Sequence, residues 1–387
     1  MKIKNIILFF TFVSLVLVGC SDSDGNGSGP SDPTFTTGTA TFGDSTGEDV
    51  IYGIESIAGG FLLSGNSATL NNGSSSDGLV MQVDAAGNTI WESTIDSGEN
   101  GYDRLYDVEV DSNGNIVVGG FATRSVGGTD MWIAVLSSAG TLSNMTFFGQ
   151  DGVNERAYTV GDWSGYDVYT LAGYNNNTDA TIQYADRNDL SSRGADILPD
   201  TSSWYRGVKT NDNYIVFVGD MQVDGQYDGI YTAFNTADGV FKAPPGTIVS
   251  SISSRLYGVN RSSDYNVLIS GLADNGTGYI AKTNQAGGVS WETTTDQAAT
   301  LYDILEDSMG NVVAVGYSGA DAFMVKLDQS GNILASKTFD GGAGSNDRFY
   351  GVSISDDDEL VMVGYTEDAN GDKNGWMVTT DPDGNIE

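Results

Sequence analysis

The stretch Tyr302-Asp-Ile-Leu-Glu-Asp-Ser-Met-Gly-Asn-Val-Val-Ala-Val-Gly316, followed by Asp321-Ala-Phe-Met-Val-Lys-Leu327, is one copy of a unit that the chain repeats. The unit is predicted to contain three strands before a turn. The first begins with an aromatic residue, the second ends in Gly, and the third begins with an acidic residue. Seven copies follow one another from Tyr52 onward, at intervals of about 45–54 residues. A period of this size, with four short strands per unit, is typical of a β-propeller. The sequence therefore predicts an all-β fold: a seven-bladed β-propeller of four-stranded antiparallel blades.

Two positions recur in every copy. The first strand starts at an aromatic residue in all seven: Tyr52, Tyr106, Tyr158, Tyr205, Tyr257, Tyr302 and Tyr350. The second strand ends at a glycine: Gly65, Gly120, Gly173, Gly219, Gly271, Gly316 and Gly364. In six copies an aliphatic residue follows two positions later, and in the fourth copy, which starts at Tyr205, it follows three positions later. Alternation at a period of two predicts that the Tyr and this aliphatic residue share one strand face in the six regular copies.

The seventh copy stops at Glu387, where its fourth strand should begin. The missing strand has a counterpart near the other end of the chain, because Thr39-Ala-Thr-Phe-Gly-Asp44 aligns with Ser336-Lys-Thr-Phe-Asp-Gly341. We predict that residues of about 36–43 form the outer strand of blade seven. This strand would close the ring and remove an exposed sheet edge.

The N-terminus has the pattern of an export signal. Lys2 and Lys4 precede a thirteen-residue apolar run, Ile6–Val18, which is too short for a membrane span. Gly19-Cys20 follows, and the whole segment resembles a bacterial lipoprotein signal. The resemblance implies that residues 1–19 are removed and that Cys20 carries fatty acyl chains such as palmitate, anchoring the protein to a membrane. The alternative is an ordinary cleavage site beside a free thiol.

Residues 20–34 are predicted to be a flexible acidic tether. They contain no residue suited to a core, and their root-mean-square reach is about 20 Å. The start Ser21-Asp22-Ser23-Asp24 resembles acidic signals that direct some outer-membrane lipoproteins to the cell surface. We therefore expect an outer-membrane lipoprotein exposed at the cell surface, with an ordinary linker facing the periplasm as the alternative.

Composition excludes several functional classes. The chain has 17 basic and 52 acidic residues and a formal net charge of −35, which argues against nucleic acid as a partner. It contains no histidine, which removes Ser–His and Cys–His catalysis and histidine metal sites. Cys20 is its single cysteine, so no intrachain disulfide can form.

Two longer stretches identify the type of repeat. Asp84-Ala-Ala-Gly-Asn-Thr-Ile-Trp91 and the segment from Asp321 to Gly342 resemble the bacterial SBBP-type β-propeller repeat of secreted and lipid-anchored proteins. The resemblance covers residues of about 35–387, although the third and fourth units lack the Gly-Asn hairpin and the tryptophan of the fourth strand. It implies a propeller fold and no particular reaction.

Four arginines occupy one repeat position, two residues before the first-strand Tyr: Arg104, Arg156, Arg255 and Arg348. One interpretation is a basic collar at the mouth of the propeller channel that holds an anionic ligand. The other is structural, with each Arg bridging neighbouring blades through an acidic residue.

Aromatic residues in the irregular units are a second group of candidate ligand-face residues. Trp163 and Tyr166 lie in the unusual first turn of unit three, where the sequence does not explain them as core. Trp204 is a further candidate, although burial between blades is expected for it and for Trp376. No cofactor is predicted, and Asp368-Ala-Asn-Gly-Asp-Lys-Asn374 is interpreted as a polar loop with a weaker resemblance to a calcium loop.

Three functions remain open. The leading hypothesis is a non-enzymatic protein-binding or scaffolding module of the cell envelope. The second is a glycan-binding surface lipoprotein that uses loop aromatics. The third is a carboxylate-dependent glycan hydrolase or lyase, for which the sequence singles out no pair of acids and no catalytic residue.

Overall fold

Seven antiparallel sheets follow one another along the chain in a computed structural model of the protein. The structure describes residues 38–43, 47–68, 75–99, 101–176, 179–198, 202–211, 214–223, 226–235, 240–241, 246–247, 254–284, 287–342 and 346–386. The predicted signal segment, Cys20 and the tether lie outside the described residues. Residues 33–387 belong to one compact unit.

The first strand of the chain, β1, spans Gly38–Phe42. Blade one contains β2 Val50–Ile57, β3 Gly60–Ser67, β4 Asp77–Asp84 and β5 Thr89–Ile95. Blade two contains β6 Arg104–Val110, β7 Ile116–Thr123, β8 Thr129–Leu136 and β9 Leu142–Phe148. Blade three contains β10 Glu155–Trp163, a 3-10 turn at Ser164–Tyr166, β11 Val168–Asn175, β12 Asp179–Asp186 and β13 Ser192–Leu198.

The remaining blades repeat this order. Blade four contains β14 Ser202–Asn211, β15 Tyr214–Val223, β16 Gln226–Asn235, β17 Val240–Phe241 and β18 Gly246–Thr247. Blade five contains β19 Ser254–Arg261, β20 Val267–Ala273, β21 Thr277–Thr283 and β22 Val289–Ala298. Blade six contains β23 Thr300–Glu306, β24 Val312–Ser318, β25 Asp321–Leu327 and β26 Ile333–Phe339. Blade seven contains β27 Arg348–Ile354, β28 Leu360–Glu367 and β29 Lys373–Thr380.

Each blade is a meander in which consecutive strands pair, and we call its strands A to D in that order. The A strand of every blade contacts the A strands of both neighbouring blades, and the contact of β27 with β2 completes the circle. The predicted seven-bladed propeller is confirmed. Blade four departs from the pattern of four strands, because its outer position holds two short strands, β17 and β18, that both pair with β16.

The ring is closed by the N-terminal strand. β1 pairs antiparallel with β29, from Gly38 opposite Thr379 to Phe42 opposite Gly375. The strand of about 36–43 expected from the sequence therefore exists, with bounds of 38–42. Ala40 and Phe42 pack on the core between blades seven and one, which includes Ile51, Val363 and Met377.

The core consists of layers between adjacent blades. Strands such as β3 are buried at every position, because each blade has a neighbour on both of its faces. Between blades one and two, for instance, Trp132 packs with Val80 and Leu105, and all three are buried. Within the described residues, no helix is long and apolar enough to cross a membrane.

The connections between strands lie at two opposite ends of the propeller. The A–B and C–D turns lie at one end, which we call the turn end, and the D–A and B–C loops lie at the other. At the turn end, Asp328 Oδ1 accepts hydrogen bonds from the backbone N of Ser330 and Asn332, both at 2.9 Å. The side chain of Asn332 donates to Asp328 Oδ2 at 2.8 Å. The hydrogen bond from the Asn332 side chain is the first cause of a lowered pKa for Asp328, so this Asp-x-x-Gly-Asn unit locks its turn with an ionised carboxylate.

Candidate functional site

Every A strand carries a β-bulge at its repeated tyrosine. In blade two, Leu105 pairs with Gly120 and Asp107 pairs with Gly119, so Tyr106 has no partner in the ladder. The same register shift falls at the equivalent tyrosine of the other six blades. A bulge turns its extra residue away from the regular pleat. The alternation expected from the sequence is therefore interrupted at the tyrosine itself.

The glycine expected to end each B strand lies inside the strand, two to four residues before its last residue, and faces the bulge. A Cβ atom at Gly120 would collide with the carbonyl oxygen of Arg104, and one at Gly364 would collide with that of Arg348. The strand-B glycine and the strand-A tyrosine therefore belong to the same local structure, the bulge. Glycine is needed because the bulged strand approaches more closely than any side chain allows.

The bulges bring the tyrosine rings together at the end of the channel opposite the turn end, which we call the tyrosine end. Centroid distances around the arc are 5.6 Å for Tyr257–Tyr302, 5.0 Å for Tyr302–Tyr350, 5.0 Å for Tyr350–Tyr52, 4.8 Å for Tyr52–Tyr106 and 4.9 Å for Tyr106–Tyr158. Offset and edge contacts at these distances are favourable between aromatic rings. The backbone of Tyr205 continues the pattern in β14, and its side chain is outside the described part.

These rings enclose a cavity of about 240 Å³, which we call the mouth pocket. Its described lining is Tyr52, Arg104, Tyr106, Tyr158, Arg206, Tyr257, Tyr302 and Tyr350. Burial raises the pKa of Tyr52, Tyr158 and Tyr302. The phenols therefore stay neutral and keep their O–H donors at physiological pH.

Arg206 reaches across the channel below the rings. Its Nη1 lies 3.5 Å from Oδ1 of Asp107, and its Nη2 donates to the carbonyl oxygen of Tyr350 at 3.2 Å. This one side chain of blade four thus connects blades two and seven. Asp107 also accepts hydrogen bonds from Thr159 Oγ1 at 2.7 Å and Val160 N at 3.0 Å. Burial raises the pKa of Asp107, and the charge of Arg206 opposes that shift.

A second carboxylate lies in the same layer. Asp303 accepts hydrogen bonds from Val352 N at 3.0 Å and Ile304 N at 2.9 Å. Burial raises its pKa, and Arg206 again opposes the shift. Asp107, Arg206 and Asp303 each follow a strand-A tyrosine, where other blades have Gly53, Thr159, Gly258 and Gly351. The site predicted from the sequence did not include these three charged residues.

The four repeated arginines, for which a collar was one of two interpretations, are only partly at the mouth. Arg104 lines the pocket and pairs with Glu48 at 3.4 Å. Arg156 lies over the Phe121 ring of the preceding blade, 4.4 Å from its centroid, and Arg348 lies 3.7 Å from that of Tyr317. These two arginines do join adjacent blades, through aromatic faces rather than through an acid. Arg255 hydrogen-bonds the side chain of Tyr257.

The acids that precede these arginines have another role. Asp103 accepts hydrogen bonds from Ser97 N and Thr123 N, both at 3.1 Å. Asp347 accepts one from Gly341 N at 2.8 Å. Each carboxylate therefore ties its D–A loop in place from within. Oxygens of Asp77, Asp96 and Asp103 lie within 4.8 Å of one another.

The aromatic candidates of unit three separate into a buried and an exposed residue. Trp163 is only 5% exposed and packs with Ile215 and Phe217 between blades three and four, so its expected role as a loop aromatic is wrong. Tyr166 is 42% exposed and its ring lies 4.9 Å from that of Trp163. The ring of Trp163, at the end of β10, lies inside, and the ring of Tyr166, in the 3-10 turn, lies at the surface.

Trp204 and Trp376 lie in strands. Trp204 belongs to β14 opposite Gly219, and its side chain is outside the described part. Trp376 is buried between blades six and seven, as predicted. The proposed calcium-like loop is organised by Asp368, whose Oδ1 accepts hydrogen bonds from Asn370 N at 2.8 Å and Asp372 N at 3.0 Å.

A second cavity, of about 290 Å³, lies toward the turn end of the channel and is acidic. Its lining includes Glu55, Glu109 and Asp162. Burial first, and the charge of Asp107 second, raise the pKa of Glu55 to about 7 and that of Glu109 to about 8. Asp162 N donates to Glu109 Oε2 at 2.9 Å. Sequence reasoning missed this group, because its members belong to different blades.

No protein-family model matches the chain, and a search of curated proteins gave no match. Solved structures do resemble it. A virginiamycin B lyase from Staphylococcus aureus superposes with a TM-score of 0.58 at 12% identity, covering 89% of this chain and 99% of that one. YCF48 bound to D1 peptide gives 0.54 at 11% identity, covering 89% and 97%.

A third similar structure is Sqt1 from Chaetomium thermophilum bound to the N-terminus of the ribosomal protein L10. It gives a TM-score of 0.52 at 13% identity, covering 88% of this chain and 98% of that one. Identities this low show the fold alone. The chain is a β-propeller repeat protein, and similar propellers include both protein-binding proteins and a protein named as an enzyme.

Proposed function

We propose that this protein is a lipid-anchored, non-enzymatic binding module of the cell envelope, and that it holds a partner protein at its tyrosine end. One observation carries the proposal. Bulges in the A strands gather tyrosine rings and two arginines, Arg104 and Arg206, around one opening. Tyrosine and arginine are enriched among the residues that dominate binding energy at protein interfaces.

Two of the similar propellers support a protein partner by precedent. YCF48 and Sqt1 were each solved with a segment of another protein bound. Their likeness to this chain is one of fold, so the precedent concerns what a propeller can hold. The residues that would do so here are those of the mouth pocket.

The direction of β1 supports an outward-facing mouth. Gly38 pairs with Thr379, close to the C–D turn of blade seven, and Phe42 pairs with Gly375 near the B–C loop. The chain therefore enters the propeller at its turn end. An acylated Cys20, joined by a short tether to that end, would present the tyrosine end away from the membrane.

Affinity capture from solubilised envelope membranes tests the binding function. The full chain with Tyr106→Ala should lose a partner that the parent retains, because the substitution removes a ring from the wall of the mouth. Tyr166→Ala is the matched control, since it removes an exposed tyrosine elsewhere. A partner held equally by the parent and by Tyr106→Ala, in a folded variant, would contradict a binding site at the mouth.

A second candidate function rests on the acidic cavity. Glu55 and Glu109 are two carboxyl groups with raised pKa values in one cavity, and paired acids can serve as general acid and base. A glycan hydrolase or lyase would release new ends from a panel of polysaccharides. Activity that disappears in Glu109→Gln and survives in Asp151→Asn would favour it, and an inactive parent would exclude it for that panel.

Trp163 is buried, so it is no longer a candidate residue for the glycan-binding alternative. Tyr166 remains as an exposed aromatic on unit three. A glycan array with the parent and Tyr166→Ala tests what is left of this alternative. A signal that is unchanged by Tyr166→Ala would place glycan binding elsewhere.

A further inference from the structure

The cavities at the two ends of the channel are lined by different ionisable groups. The described lining of the mouth pocket contains two guanidinium groups and no carboxylate. The lining of the acidic cavity contains Glu55, Glu109 and Asp162 and no basic residue among those described. In a chain of net charge −35, the mouth pocket thus brings two arginines to a place that an anionic group can approach.

Arg104 is held at the mouth by Glu48 and by a side-chain hydrogen bond with Tyr106. Its Nε atom is buried and has no hydrogen-bond partner among the described residues. Its Nη2 lies 3.4 Å from Glu48, an exposed carboxylate that also accepts a 2.6 Å hydrogen bond from Lys373 Nζ. One carboxylate is thus shared by two cations, which leaves positive charge at this side of the pocket.

Arg206 supplies the second cation from below. Its contact with Asp107 is long, at 3.5 Å, and the second oxygen of Asp107 is already engaged by Thr159 and Val160. The guanidinium is therefore held in place across the axis. A planar guanidinium fixed in this way can meet a carboxylate with parallel hydrogen bonds.

The wall between the two arginines is aromatic. The ring of Tyr52 lies 4.8 Å from that of Tyr106 and 5.0 Å from that of Tyr350. The hydroxyl group of a tyrosine can donate a hydrogen bond. Such a wall offers apolar faces to an aliphatic or aromatic side chain and donors to an oxygen anion. It has little to offer a free, fully hydrated inorganic ion.

We propose that the mouth pocket recognises a carboxylate carried by an otherwise apolar peptide segment of the partner. This inference rests on the proposed function and specifies its ligand. The carboxylate can be the C-terminal group of the partner or the side chain of an Asp or Glu near an apolar residue. Both sources present the same anion to Arg104 and Arg206, with apolar atoms against the tyrosine rings.

Three random heptapeptide libraries on beads separate the two sources. The first has free C-termini and no Asp or Glu, the second has C-terminal amides and no Asp or Glu, and the third has amides with Asp and Glu allowed. The labelled full chain in detergent should be retained about tenfold or more by the first or third library over the second. Equal retention on all three libraries, or preference for the second, would overturn the proposal.

Arginine variants test the assignment to the mouth. Arg104→Gln and Arg206→Gln should each weaken retention of the selected peptides by about tenfold or more, because each removes a charged donor. Arg193→Gln is the control, since Arg193 is an exposed arginine of blade three that pairs with Asp186. Because Arg206→Gln can also disturb the Asp107 layer, Arg104→Gln decides the outcome if the other variant unfolds.

Failure of the carboxylate proposal and failure of the proposed protein-binding function give different results. A partner protein captured through Tyr106 but held equally well by Arg104→Gln overturns the carboxylate and leaves the protein-binding mouth intact. Retention of an acidic oligosaccharide by the parent, with no selected peptide, overturns both. Retention of the peptides that falls with added salt and with Arg104→Gln supports both.

Discussion

Single residues in the innermost strands decide what lines the channel. Tyr106 is the extra residue of a bulge, and Asp107 after it regains the ladder. The strand-B residue opposite, Gly120, must lack a side chain because of the Arg104 carbonyl. The repeated Tyr and Gly of the sequence therefore have one shared physical cause, which is the bulge.

Replacing Gly120 with Ala should lower the free energy of unfolding by about 1–3 kcal/mol, because the new Cβ collides with the backbone of Arg104. Urea denaturation of the full chain measures the loss. Gly165→Ala is the control, since a Cβ at that glycine has no atom within 4 Å. Equal stability of Gly120→Ala and the parent would show that the bulge relaxes without cost.

Stability should also depend on pH near neutrality through Glu109. Its folded-state pKa of about 8 lies above the ordinary value of 4.5, and that of Glu55, about 7, does too. The folded protein therefore holds protons that the unfolded chain releases. The free energy of unfolding falls as the pH rises from the ordinary value of 4.5 to the folded-state value of about 8. Glu109→Gln should make this fall smaller.

Urea denaturation at about pH 5.5 and about pH 8.5 brackets the predicted window. Asp151→Asn controls for the loss of one negative charge, because Asp151 is exposed at the surface. The same pH dependence in Glu109→Gln and in the parent would mean that Glu109 titrates normally in the fold.

At the scale of the element, β1 has the most distinct role. It is separated by over three hundred residues from its partner β29, yet it supplies the fourth strand of that blade. Without it, the backbone groups of β29 would form an open edge, which invites pairing with another chain. Its sequence, Gly-Thr-Ala-Thr-Phe, alternates exposed and half-buried positions as an outer strand should.

Deleting residues 35–43 should lower the thermal midpoint and promote oligomers, because blade seven then ends in an unpaired strand. Deletion of residues 21–34 shortens the chain from the same end without touching β1, and serves as the control. Differential scanning calorimetry and size-exclusion chromatography follow the two effects. A truncated protein as soluble and as thermally stable as the parent would contradict ring closure by β1.

At the scale of the whole molecule, the channel has a cationic aromatic end and an acidic end. The chain enters at the acidic, turn end. If Cys20 is acylated as proposed, this polarity gives the propeller an average orientation on a membrane. The mouth pocket then lies on the far side, where a partner protein can reach it.

Fluorescent labels on introduced cysteines can measure that orientation. Met309 is 64% exposed in a turn of the turn end, and Tyr102 is 52% exposed at the tyrosine end. On vesicles that contain spin-labelled lipid, a label at Met309→Cys should be quenched more strongly than one at Tyr102→Cys. A chain with Cys20→Ser, which cannot be acylated, should show no quenching at either position. Equal quenching of the anchored variants would contradict the orientation.

Much of the architecture was predictable from local pattern. The spacing from Tyr52 to Tyr350 predicts the number of blades, and the likeness of residues 39–44 to 336–341 predicts the closing strand. The site was predictable only in part. Arg104, which one of two interpretations placed at the mouth, lines the mouth pocket. Trp163 was a candidate for the ligand face and is buried, because strands of blade four cover it.

By itself, the sequence determined the strands, their turns and the seven-fold ring, since each depends on residues within one repeat or on two segments that match. Only the tertiary structure decided what faces the axis. A bulge changes the direction of each strand-A tyrosine, and the alternation of residues along the strand does not predict this change. Arg206 contacts Asp107, which belongs to another blade. Contacts between residues so far apart in sequence arise from the closure of the ring, and so does the difference between the ionisable groups at its two ends.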